Sequence, residues 1–67
     1  MKITMKAARV NADLKLEEAA KELGITKNTL ISYEKYRTIP TMDIGMAMAR
    51  LYGVSVNDLI FLPSDCA

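Results

Sequence analysis

The sequence has 67 residues, 51% of them hydrophobic and 25% charged, with a formal net charge of +1. That length supports one small domain, and the mixture is that of a globular protein, not of a disordered or membrane-embedded one. No apolar run approaches the roughly 18 residues of a spanning helix, and the single Cys66 excludes an internal disulfide framework while the absence of histidine removes the commonest general base and metal ligand.

Enzymatic chemistry has little to work with. The three glycines, Gly24, Gly45 and Gly53, are scattered and form no phosphate-binding loop. No cofactor, metal site or small-molecule ligand is expected. No signal-peptide pattern opens the chain, and a lone cysteine fits a reducing cytoplasm. Charge is unevenly placed: the acids Glu17, Glu18 and Glu22 precede Gly24, whereas Lys27, Lys35 and Arg37 follow it. A basic rim can therefore exist on a nearly neutral molecule.

A first helix is expected from about Thr4 to Asn11, with Met5, Ala8 and Arg9 on one face. Leu16, Ala19, Ala20 and Leu23 then recur at i, i+3, i+4 and i+7, which predicts a helix with one buried stripe. Gly24 ends it, because a left-handed residue is favoured just past a helix C-terminus. Thr26 caps a third helix by accepting a backbone N–H, and Leu30 and Tyr33 form its inner face. Arg37 to Pro40 reads as a loop, with Ile39 held extended by the following proline. Thr41 caps a fourth helix containing Met42, Met46, Ala49 and Tyr52 and closed by Gly53. Gly45 inside it costs about 1 kcal/mol against alanine, which points to a close contact with another helix. Ser55-Val56-Asn57-Asp58 resembles a capping box and predicts a short fifth helix through Leu59 and Ile60. No segment alternates like a half-buried strand. The expected fold is all-α, five helices in a single domain over residues 1–67, with a core from about 4 to 62 and a tail of 63–67.

The stretch LEEAAKELGITKNTLISYEKYRTIP is the most informative. Two helices cross closely only where small side chains sit at the approach. Here Ala20 takes that place, Gly24 turns the chain, Ile25 plugs the corner and Leu30 reaches back over the junction. Together these spacings make a helix-turn-helix signal. Such a unit suits the DNA major groove, which admits one α-helix and offers a distinct donor and acceptor pattern for each base pair.

From Met5 to Leu62 the chain resembles the lambda-repressor-like family of helix-turn-helix regulators, which includes phage repressors and Cro proteins. The matching pieces are Leu14, EEAAKELGI, Thr26 to Leu30, Glu34, Pro40 and MAMARLYGVSVNDLI. The resemblance implies a five-helix fold whose third helix enters the major groove of double-stranded DNA. Carried over residue by residue, it assigns Lys27, Asn28, Ile31 and Ser32 to base-facing positions. Lysine donates to guanine, asparagine pairs with adenine, and isoleucine suits a thymine methyl group. Thr29, Lys35 and Arg37 are placed for phosphates. The resemblance also implies an ion pair between Arg9 and Glu34.

Two departures stand out. Where the family carries Thr-Gln at the start of the second helix, this chain has Lys15 and Leu16. Leucine cannot bond a phosphate, so Lys15 is the expected substitute. Tyr36 stands where the family often has glycine or asparagine, and a tyrosine resists a left-handed conformation. The third helix is therefore expected to end differently or to run longer. A recognition helix covers few base pairs, so a homodimer on a palindromic operator is expected, with Ile60, Phe61 and Leu62 as its surface. Two other readings stay open: the antitoxin of a two-protein module, and a protein-interaction module of this fold that has lost DNA binding.

Overall fold

The computed structural model describes residues 1–62; the expected tail, with Pro63 and Cys66, lies outside the described residues. In chain order the elements are β1 (Ile3–Thr4), α1 (Met5–Asn11), α2 (Leu16–Leu23), α3 (Lys27–Glu34), α4 (Met42–Tyr52) and β2 (Leu59–Ile60). Three of these helices start at a threonine. Thr4 Oγ1 accepts from the Ala7 N–H at 3.1 Å, Thr26 Oγ1 from Thr29 at 3.1 Å, and Thr41 Oγ1 from Ile44 at 3.4 Å. Helix α2 begins instead at Lys15, whose side chain cannot accept. Glu18 reaches back and takes the Lys15 N–H at 2.9 Å, the acidic half of a capping box.

Each helix ends in a left-handed residue: Asp13, Gly24, Tyr36 and Gly53, at φ 60°, 71°, 60° and 71°. The N–H of the next residue then turns back to a carbonyl of the last turn, as in Ile25 to Ala20 at 3.0 Å and Arg37 to Ser32 at 2.9 Å. The expectation for Tyr36 is thereby corrected. The tyrosine does adopt the left-handed conformation and stops α3 at Glu34. Its strain, of order 1–2 kcal/mol, is opposed by a hydrogen bond from the Tyr36 hydroxyl to the Ile60 carbonyl at 3.2 Å and by packing on the core.

The expected fifth helix is also corrected. Ser55 closes a single turn, its carbonyl accepting from Asp58 N–H at 2.9 Å and its hydroxyl from Asn57 N–H at 3.3 Å. The chain then extends. Leu59 and Ile60 pair in parallel with Ile3 and Thr4, and the Ile3 N–H donates to Asp58 O at 2.8 Å. The N-terminal segment offers main-chain partners, and backbone pairing there overrides the local helical signal. Among the described residues the fold is four helices with one two-residue strand pair, not five helices.

Met5, Leu30 and Met48 are the fully buried large side chains, one each from α1, α3 and α4. Ala8, Ala19, Ala20 and Ala49 are buried around them, where a larger group would push the helices apart. The inner stripe of α4 runs Gly45, Met48, Ala49, Tyr52 and leaves Met42 and Met46 exposed. Gly45 faces a ring and not a helix: a Cβ there would lie 3.2 Å from Cζ of Phe61.

One ion pair sits inside this frame. Arg9 Nε donates to Glu34 Oε2 at 2.7 Å, Nη2 to Oε1 at 3.3 Å, and Nη1 to the Leu14 carbonyl at 2.8 Å. The side chains are only 9% and 7% exposed, so each charge depends on the other. Removing one partner of such a pair strands the other and costs about 3–5 kcal/mol. Arg9→Ala or Glu34→Ala should therefore lower the urea midpoint severely, since a chain this short has about 3–10 kcal/mol in all. Replacing both by apolar residues should cost much less, and equal losses for single and double variants would contradict interdependence.

Tyr52 lies near this pair. Its hydroxyl is buried and has no hydrogen-bond partner among the described residues. Burial, reinforced by the Glu34 charge and opposed by Arg9, pushes its phenol up from 10.0 to about 12. Above pH 10 an unfolded chain releases a proton that the folded chain keeps. This contribution to stability is complete below about pH 10 and is lost as pH rises through about 12. Tyr52→Phe should be as stable as the parent, or more so, at neutral pH, because it removes an unpaired hydroxyl. Its urea midpoint should also fall less steeply across that alkaline window.

Candidate nucleic-acid interface

Helix α3 is fastened along one side. Leu30 is 0% exposed, and Glu34, one turn later, is held by Arg9. Residues on the opposite side are turned outward by the helical period. Asn28 and Lys27 are exposed at its start, Lys35 and Arg37 are exposed at and beyond its end, and Thr29, Ile31 and Ser32 are half-buried between them. Apart from Lys15, the residues read from the sequence as base- and phosphate-facing thus lie on α3 or within three residues of its end.

Several are already engaged. Lys27 Nζ lies 3.4 Å from Glu17 Oε1 on α2. Both side chains are well exposed, at 51% and 78%. The Thr29 hydroxyl shares a hydrogen bond with the Thr26 hydroxyl at 2.8 Å, so it supports the helix start. Ile31 lines a cleft of about 150 Å³ together with Leu16, Lys6, Lys35 and the Arg9–Glu34 pair.

Lys15 is exposed at the start of α2. It borders a separate surface hollow with Val10, Asp13, Leu14 and Glu18, and no α3 residue lines that hollow. Lys6 is the cation that the fold brings to the cleft beside Ile31 and Lys35. The sequence held a signal for it: Lys6 precedes Arg9 by three positions, and residues at i and i+3 share a helix face. Glu17 and the left-handed Tyr36 were likewise outside the sequence-based set.

The three residues expected at a dimer surface separate. Ile60 is 6% exposed within β2, where its carbonyl receives the Tyr36 hydroxyl. Phe61 is half-buried over Gly45, and Leu62 is exposed at 42%. Phe61 and Leu62 border a shallow apolar groove with Ile39, Met42 and Val56. Among the described residues no helix is long and apolar enough to cross a membrane.

Two short helices joined at a left-handed glycine, the second pinned inward and polar outward, define a helix-turn-helix domain of the kind found in DNA-binding transcription regulators. The sequence profile of the Helix-turn-helix family matches residues 5–59, and the chain belongs to that family, the type of the Cro proteins and phage repressors. An uncharacterized HTH-type transcriptional regulator of Methanocaldococcus jannaschii is 31% identical over 65 residues, covering 97% of this chain and 98% of that protein. The cryptic phage CTXphi transcriptional repressor RstR of Vibrio cholerae is 38% identical over 52 residues, covering 78% of this chain and 47% of the repressor. An HTH-type regulator of Archaeoglobus fulgidus is 23% identical over 65 residues, covering 97% and 92%. No solved structure matches the chain. All three relatives are named as transcriptional regulators or repressors.

The Glu17–Lys27 pair predicts a separable effect. An exposed pair at 3.4 Å contributes little to folding, about 0–1 kcal/mol. Glu17→Gln should leave the urea midpoint nearly unchanged. It should tighten binding to any duplex DNA by removing a negative charge beside the phosphates and releasing Lys27, as read by fluorescence anisotropy. A weaker complex would mean that Glu17 positions Lys27 instead.

Proposed function

We propose that the protein is a sequence-specific transcriptional regulator, acting in the cytoplasm, that reads double-stranded DNA with the outward side of α3. The observation that carries this reading is the two-sided character of that helix. Leu30 and Glu34 are committed to the interior, while Lys27 and Asn28 at the start of the helix and Lys35 and Arg37 at and beyond its end are exposed. Asn28 reads adenine, Lys27 donates to guanine once released from Glu17, and Ser32 faces the bases one turn further along. Lys35 and Arg37 bind phosphates, with Thr29 supporting the helix start.

The working form is a homodimer on a palindromic operator. Half-sites one DNA turn apart are separated by about 34 Å. A protomer measuring 28 × 23 × 20 Å can place two copies of α3 at that spacing when the copies meet edge to edge. Leu62 and Phe61, with the neighbouring Ile39, Met42 and Val56, offer the apolar surface for that meeting. Ile60 supports it from within β2. Repression is the favoured outcome, because a dimer seated on an operator blocks access to the same groove and one relative is named as a phage transcriptional repressor.

Selection from random duplexes, with affinity then measured at two salt concentrations, tests the reading directly. A recovered palindrome and a steep salt dependence support it. Binding without sequence preference, or no binding at all, sinks it. On the recovered operator, Asn28→Ala should cost about 1–3 kcal/mol and relax preference at one base position. Lys35→Ala and Arg37→Ala should weaken specific and random duplexes alike, each lowering the salt slope by about one. Equal losses on both kinds of duplex for Asn28→Ala would remove it from base reading.

A further inference from the structure

Lys27, Ile31 and Lys35 follow one another at four-residue intervals and so form one stripe along α3. The middle member is apolar. Leu16 on α2 touches the hydrophobic core, and it lines with Ile31 the cleft of about 150 Å³ between α1, α2 and α3. The other residues of that cleft are Lys6, Lys35, Arg9 and Glu34. Arg9 and Glu34 are bonded to each other at 2.7 Å, and Arg9 also to the Leu14 carbonyl, so they present a neutralised pair and not a free carboxylate. What remains is two apolar side chains and two exposed ammonium-bearing residues at the margins.

An occupant with matching chemistry is a small apolar group attached to an anionic chain. Of the base edges exposed in the major groove, only thymine carries such a group, its C5-methyl, and phosphates flank it on either side. We propose that Leu16 and Ile31 together hold the methyl group of one thymine in each half-site, while Lys6 and Lys35 hold the adjacent phosphates. This rests on the reading of α3 as the DNA-facing helix and names a base that it reads. It also gives the Lys15-Leu16 departure a role: a leucine that cannot bond a phosphate serves as an apolar wall, and Lys6 takes over the phosphate.

Single thymine-to-deoxyuridine replacements across the selected operator test the proposal, since each removes one methyl group and no hydrogen bond. At one thymine per half-site the replacement should weaken the parent protein about fourfold, the value of one buried methyl. The same replacement should cost Ile31→Ala clearly less than the parent, because that variant has lost one of the two side chains that hold the methyl group. Leu16→Gln should likewise show a reduced discrimination against uridine, and Lys6→Ala should lower the salt slope by about one. If every uridine-containing duplex binds the parent as tightly as the operator, or if Ile31→Ala shows the same fourfold loss, the methyl site is overturned while DNA reading stands. If no operator can be selected, the α3 reading falls and the methyl site with it. The parent protein alone decides the uridine series should a variant fail to fold.

Discussion

The Arg9–Glu34 pair decides which way helix α3 faces. Helix α3 has eight residues and buries only Leu30 completely. A single apolar anchor holds a short helix down but leaves it free to roll, because hydrophobic attraction has no direction. The guanidinium supplies the direction. Its three donations, two to Glu34 and one to the Leu14 carbonyl, tie α1, the α1–α2 loop and the last turn of α3 to one point. A pair this deeply buried offsets its desolvation only when its hydrogen bonds are well made. That requirement makes it a sensitive orienting device.

A second fastening lies at the other end of the same segment. Tyr36 ends α3 in a conformation that glycine adopts more easily, and its hydroxyl reaches the Ile60 carbonyl. Ile60 in turn pairs with Thr4, next to the start of α1. The exit of α3, the N-terminal segment and the last described strand are thus joined through one phenol hydroxyl and a strand pairing. The same join sets Phe61 over Gly45 and leaves Leu62 outward beside Ile39. Strain at one residue and order at the apolar edge are linked.

Net charge says little about such a surface. The chain carries nine cations and eight anions, yet Lys35 and Arg37 stand together at one end of α3 while Lys6 approaches from α1. Glu17 tempers Lys27 at the other end. On the proposed reading of α3, an acid beside that helix lowers affinity for every phosphate backbone equally. It therefore raises the share of binding that must come from base edges, which is how a weakly basic protein can still be selective.

The sequence by itself determined much that depends on local chemistry: the Thr26 and Thr41 caps, the ends at Gly24 and Gly53, the single buried stripe of α2, and the inward side of α3 at Leu30. These follow from the helical period and from which groups can bond a free N–H, and neither needs a distant partner. Only the tertiary structure decided the rest. Leu59 and Ile60 became a strand because Ile3 and Thr4 lay beside them, Tyr36 accepted a strained conformation because Ile60 rewards it, and Lys6, not Lys15, reached the cleft because α1 packs against α3. Such outcomes rest on groups up to 56 positions apart in the chain, as Ile3 and Leu59 are, and no short-range pattern encodes a contact of that reach.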